Sequence, residues 1–144
     1  MIVPSSQLEA MAVLKGEGKL RGTVKFYSIP GGSLLAAEVT GLPKNESGFF
    51  SLHIHEGTAC TGEGFSDTRG HYDPEEKLHP LHPGDLPPLL NMDGRAFLAV
   101  ETDRFFVADV VGRTVVVHGA ADDFRTQPSG NPGEKIACGV IRWV

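Results

Sequence analysis

The stretch from Gly57 to Gly94 decides what the rest of this chain can be. It is rich in Gly, Pro, Asp and His and has no sustained apolar period, yet it lies between two blocks of segments that do. A connection longer than about 12 to 15 residues with no structure of its own is uncommon in a compact domain. Something other than apolar burial must therefore order it. Metal ligands and a disulfide are devices that can do so where apolar content is low. The chain has the means for both, with six histidines and two cysteines among 144 residues.

The flanking blocks read as strands. Leu8 to Leu14, Leu20 to Tyr27 and Ser33 to Thr40 alternate with period two between Gly or Pro punctuation, and Val24 and Phe26 share a face. Gly48 to Glu56 predicts a fourth strand, turning Phe50, Leu52 and Ile54 to one side and Phe49, Ser51, His53 and His55 to the other. Further strands are expected at Arg95 to Glu101, Arg104 to Val110, Thr114 to His118 and Ile136 to Trp143, with a second polar loop from Gly119 to Lys135. No helix of useful length competes with this pattern. The expected fold is all-β, an eight-stranded antiparallel Greek-key β-barrel or sandwich with two long ordered loops. It should form a single domain over residues 1–144, a length at which about 70% of the unfolded surface is buried.

Charge and hydropathy narrow the partners. A net charge of -5 without any Lys/Arg cluster argues against nucleic acid. No apolar run approaches 18 residues, which argues against a membrane span. Met1 to Ala10 has acidic and polar residues where a signal peptide needs a basic start and an apolar centre. The compartment stays open between the cytoplasm and export with a leader already removed. A homodimer is likewise left open.

The chemistry lies in the histidines. In a strand, His53 and His55 point to one face with Cα atoms roughly 6.5 to 7 Å apart, so both can converge on one ion. Read alone, they fit a solvent-facing pair equally well. His118 ends the run Thr114-Val-Val-Val-His and shares a face with Val116. If that strand closes near the fourth, three imidazoles with an open position suit copper. His71, His79, His82 and Asp85 lie 8, 3 and 3 positions apart, three nitrogens and one carboxylate that make a closed tetrahedral zinc set; a solvated His-rich loop is the alternative. No His-Glu-x-x-His order supports a hydrolytic zinc. Cys60 and Cys138 form no Cys-x-x-Cys pair and read as two separate buried thiols or as a bridge. Asp122-Asp123 by itself reads as a turn start.

Several segments in order resemble the bacterial-type copper/zinc superoxide dismutase family: His53-Ile-His55-Glu-Gly-Thr-Ala-Cys60, Gly70-His71-Tyr-Asp-Pro74, His82-Pro-Gly-Asp85-Leu-Pro87, Gly112-Arg-Thr-Val-Val-Val-His118, Asp122-Asp123, and Gly130-Asn-Pro-Gly-Glu-Lys-Ile-Ala-Cys138-Gly-Val-Ile141. The resemblance runs from about Gly16 to the C-terminus. It implies one copper per chain on His53, His55, His71 and His118, and one zinc on His71, His79, His82 and Asp85. His71 would bridge the two as an imidazolate and act as a proton donor. It further implies a Cys60 to Cys138 disulfide, and Asp122 accepting the outer N–H of one copper and one zinc histidine. The implied reaction is disproportionation of superoxide to dioxygen and hydrogen peroxide, with Lys135 drawing in the anion and Ser129 on the rim of the channel.

Two positions depart from the family pattern. Lys135 stands where arginine is usual, keeping the charge but offering a point donor in place of a fork. Only Pro80 and Leu81 separate His79 from His82, where other members have a longer stretch. Two further functions fit the same residues: a non-enzymatic copper or zinc binding domain, and a structural module that keeps the fold with an empty site.

Overall fold

In the computed structural model, residues 7–144 are described. Most of the N-terminal decapeptide read for a leader lies outside them. The strands are β1 (Ala10–Gly16), β2 (Arg21–Ile29), β3 (Gly32–Thr40), β4 (Phe49–Phe50), β5 (Leu52–His55), β6 (Leu89–Leu90), β7 (Ala96–Thr102), β8 (Thr114–His118) and β9 (Lys135–Trp143), with one helical turn, α1 (Val107–Val110). Seven of the strands form one antiparallel sheet in the order β5-β8-β9-β1-β2-β3-β7, while β4 and β6 pair separately. The non-consecutive neighbours β5-β8, β9-β1 and β3-β7 are the Greek-key crossings. The sheet curls until its two edges approach: a Met92–Arg95 bridge links β6 to β7, and β4 runs on into β5 through Ser51.

Period-two alternation fills the interior. Ala10, Ala12 and Leu14 of β1, Val24 and Phe26 of β2, and Ala37 and Val39 of β3 are all buried, whereas Val13 between them is 62% exposed. These side chains join Phe50, Leu52 and Ile54 in one apolar cluster. His53 and His55 leave β5 on the opposite side, as alternation requires, yet they too are buried. The outer face of β5 is therefore covered.

Loop residues supply the cover. Ile54 N–H donates to the Gly84 carbonyl at 2.8 Å, Tyr72 N–H to the Ile54 carbonyl at 2.8 Å, and Glu56 N–H to the Gly70 carbonyl at 2.8 Å. The aperiodic stretch thus docks on the free edge of β5 by backbone hydrogen bonds, a third ordering device beside ligands and disulfide. It also contains β6 and a short 3₁₀ segment, Glu63–Thr68. Among the described residues no helix is long and apolar enough to cross a membrane.

The expected strand from Arg104 to Val110 is corrected. The chain bends after β7, and Val107 to Val110 form α1, whose Asp109 side chain accepts the Phe106 N–H at 2.8 Å. Phe105, Val107 and Val110 are all buried. Their spacing of two and then three suits both a strand and a helical turn, and the turn wins by packing Phe105 against Phe26, ring centroids 6.4 Å apart. The fourth strand is also split at Ser51, whose N–H and hydroxyl both donate to the Ala120 carbonyl, at 3.0 and 2.7 Å, and whose carbonyl accepts the His118 N–H at 2.9 Å.

Candidate metal centre

All six histidines are buried and come together where β5, β8 and the two long loops meet. His53 and His55 sit on β5, and His118 on the adjacent β8. His71 is brought alongside by its bridge to His55, and Asp85 by its bridge to His53. Two groups result. Donor atoms of His53, His55, His71 and His118 lie within 4.8 Å of one another, and so do those of His71, His79, His82 and Asp85. The separation of His79 and His82 by only two residues does not keep either from the second group. His71 belongs to both.

Hydrogen bonds on the outer side of the rings dictate which nitrogen faces inward. A carbonyl or an ionised carboxylate can only accept, so the ring nitrogen touching it must carry the proton. His53 Nε2–H donates to Asp122 Oδ2 at 2.9 Å, leaving a lone pair on Nδ1. His79 Nε2–H donates to Asp122 Oδ1 at 2.7 Å, with the same consequence. His55 Nδ1–H donates to the Arg69 carbonyl at 2.8 Å and His118 Nδ1–H to the Gly133 carbonyl at 3.3 Å, leaving lone pairs on their Nε2 atoms. His82 Nε2–H donates to the Lys77 carbonyl at 2.9 Å. Only His71 has no such outer acceptor among the described residues: Nδ1 faces Asp85 Oδ1 at 2.8 Å and His82 Nδ1 at 3.1 Å, while Nε2 has no partner.

Lone pairs therefore face lone pairs. The Nε2 atoms of His55 and His118 are 3.2 Å apart although each ring has its proton on the far side. Among the described residues His53 Nδ1 and His71 Nε2 are buried without a hydrogen-bond partner, while Asp85 faces two ring nitrogens at once, Oδ1 lying 2.8 Å from His71 Nδ1 and Oδ2 3.0 Å from His79 Nδ1. Buried polar atoms are ordinarily paired, and leaving one unpaired costs on the order of 1 to 3 kcal/mol. Convergent unpaired acceptors are what a cation would satisfy, so both groups fit a metal ion.

The electrostatic environment agrees with that reading. Burial pushes His55 down to about 2 and His118 down to about 3, with neighbouring imidazoles and Lys135 acting in the same direction. Burial also lowers His71, against the opposing pull of Asp85. Burial alone would raise Asp122, but the ring N–H groups of His53 and His79 and the Phe124 N–H outweigh it and bring the carboxyl down to about 2. Asp85 behaves alike: burial raises it, and His71, His82 and His79 hold it below the usual carboxylate range. Neutral imidazoles beside ionised carboxylates are the protonation states that ligation needs.

Lys135 lies close enough to the first group for its charge to act on His55 and His118. Its Nζ donates to Thr68 Oγ1 at 2.8 Å and to the Arg69 carbonyl at 3.0 Å, the carbonyl that also holds His55. One of its three N–H donors stays uncommitted. Burial lowers its pKa from the ordinary lysine value. Ser129 is half-buried next to Gly130, and its side chain makes no hydrogen bond among the described residues. Cys60 and Cys138 are joined in a disulfide across 78 positions.

Arg69, Thr68 and Gly130 were not singled out as site residues by sequence. Arg69 contributes a carbonyl, which no side-chain pattern reveals. Gly130 has φ of +84°, and a Cβ there would collide with Asp122 Oδ1 and come within 2.6 Å of His79 Nε2. Its Gly-Asn-Pro-Gly context was a usable signal for such a close approach.

A curled Greek-key β-barrel with two donor groups that could each hold a metal ion and that share one imidazole is the class of protein that the fold and the site define. The chain belongs to the copper/zinc superoxide dismutase (SODC) family, which it matches over residues 20–141. It is 32% identical to Cu-Zn superoxide dismutase 2 of Aquifex aeolicus, over 96% of this chain and 89% of that protein. It is 34% identical to the Cu-Zn superoxide dismutase of Deinococcus radiodurans, over 90% of this chain and 81% of that one. It is also 31% identical to the human copper chaperone for superoxide dismutase, over 92% of this chain but 52% of the chaperone.

Proposed function

We propose that this chain is a copper- and zinc-dependent superoxide dismutase, converting two superoxide ions and two protons to dioxygen and hydrogen peroxide. The observation that carries the reading is His71, the one imidazole with no outer acceptor, lying in both donor groups at once. Copper would be held by His53, His55, His71 and His118, and zinc by His71, His79, His82 and Asp85, one of each per chain. Bound copper would supply a one-electron redox centre, and bound zinc a fixed positive charge that lowers the basicity of the shared ring.

The chain's own groups do the rest. Asp122 grips His53 and His79 together, tying the orientation of one group to that of the other. His71, free of any outer hydrogen bond, can take and release a proton at Nε2. Lys135 presents a positive charge beside His55 on an otherwise acidic protein, which focuses a small anion onto the open side of the site. Ser129 would line the approach.

Loading the purified protein with copper and zinc and measuring superoxide removal tests this. The expected result is activity well above that of the same amount of free copper, abolished in His118→Ala. Activity no greater than free copper would sink it. The similarity to copper chaperones favours a second reading, metal binding without turnover. That reading expects stoichiometric copper uptake while superoxide fails to cycle the bound copper.

A further inference from the structure

The segment His79-Pro80-Leu81-His82 puts two donors of the second group at either end of only two residues. Leu81 is 56% exposed and the preceding Leu78 67% exposed, so apolar burial does not hold the segment. Local bonds hold it at two points: Leu81 N–H donates to the Leu78 carbonyl at 2.7 Å, and at the far end His82 N–H donates to Asp85 Oδ2 and Asp85 N–H to the His82 carbonyl, each at 3.0 Å. The remaining support comes from outside. The Gln127 side-chain amide clasps the backbone of His79 on both sides: Oε1 accepts the His79 N–H at 2.9 Å and Nε2 donates to the His79 carbonyl at 2.7 Å. Arg104, just beyond β7, donates through Nη1 to the Pro80 carbonyl at 2.7 Å and to the His82 carbonyl at 3.2 Å.

We propose that Gln127 and Arg104 are positioning residues for the second metal group, an external clamp on the short segment that carries two of its donors. This rests on the zinc assignment made above. Gln127 lies in the same loop as Asp122, so one segment holds His79 at three points: its N–H, its carbonyl and its ring Nε2. With backbone and ring both fixed, Nδ1 can point only toward Asp85 and the donors of His71 and His82. Arg104 fixes the other end. A guanidinium suits the task because it can serve two carbonyls from one rigid plane. Neither residue touches the metal position itself; each acts through the backbone of a donor.

The test compares Gln127→Ala, Gln127→Glu, Arg104→Ala, Arg104→Lys and the Gln127→Ala/Arg104→Ala double variant. Zinc affinity is measured by chelator competition on the metal-free protein, together with the visible spectrum of cobalt bound in the zinc position. Each alanine variant should lose roughly tenfold in zinc affinity and the double variant more, with copper affinity changed by no more than about threefold. The tetrahedral cobalt band should weaken or shift. Gln127→Glu keeps the acceptor but sets an oxygen against the His79 carbonyl, so it should behave like alanine; Arg104→Lys should recover part of the loss. Both side chains are exposed, so thermal unfolding of the metal-free variants should match the wild type and separate the effect from misfolding. If the wild type takes up zinc and the double variant matches it in affinity and cobalt spectrum, the clamp is refuted and the zinc assignment stands. If the wild type takes up no zinc, both fall.

Discussion

At the scale of single residues, the centre depends on which atom carries a proton, and two side chains make this testable. Asp122 accepts from two rings at once. Asp122→Asn keeps the shape but turns one acceptor into a donor, so one of His53 and His79 must present the wrong nitrogen. The Phe124 N–H also donates to Oδ1 at 2.7 Å, which keeps the amide oxygen on the His79 side and sets the NH2 against His53, so copper affinity should drop by about 10- to 100-fold, read by chelator competition. Lys135 is the other case. Its pKa is lowered by burial, so the alkaline fall of superoxide removal should begin below about 10.4, the value of a free lysine. Lys135→Arg should move that limb upward, while Lys135→Glu should depress the rate and reverse its salt dependence. A pH profile and a salt series on the three proteins decide it. The six histidines were legible because ligation restricts residue type and leaves spacing as a trace. The Arg69 carbonyl beneath His55 and Lys135 left none, since every residue has a carbonyl.

At the scale of elements, regular strands were readable and the loops were not. β2 and β3 announce themselves by alternation, whereas Arg104 to Val110 offered buried positions that suit a strand or a turn equally until Phe26 decides between them. The long stretch was recognised as needing restraint, and its histidines and Cys60 supply some. Its backbone pairing to the edge of β5 could not be read, because the carbonyls of Gly70 and Gly84 that take part have no side-chain signature. The disulfide fastens the 3₁₀ end of this loop to β9, beside the segment whose Thr68 and Arg69 position Lys135. Closing a loop of that length stabilises the fold by about 4 kcal/mol in the chain-entropy model. The Cys60→Ser/Cys138→Ser variant should therefore unfold at markedly lower urea. Lys135 should also lose its fixed place, so the variant's superoxide removal should fall even under conditions where circular dichroism shows it folded.

At the scale of the whole molecule, the centre is a source of instability that bound cations would relieve. Six imidazoles and two carboxylates are packed where the β5-β8 end of the barrel meets its loops, and the inward lone pairs oppose one another. Protons are the competing cations. His55 and His118 have folded pKa values far below the 6.5 of an exposed histidine, so the unfolded chain binds protons at a pH where the native one does not. Their contribution is fully kept above about pH 6.5 and drains away as the pH falls toward their folded values. Asp122 works in the same direction but only lower down, since its lowered carboxyl gives up stability as the pH drops from about 3.8 through about 2. Between about pH 7.5 and about pH 5 the metal-free protein should thus lose about 2 kcal/mol for each of the two histidines, as an upper estimate. Urea unfolding of the metal-free protein at those two values should show the loss. In the metal-loaded protein the same interval should cost far less, because ligands already occupied by metal do not take up protons until the metal leaves. An equal loss in both forms would mean that the histidine cluster is not where the metals bind.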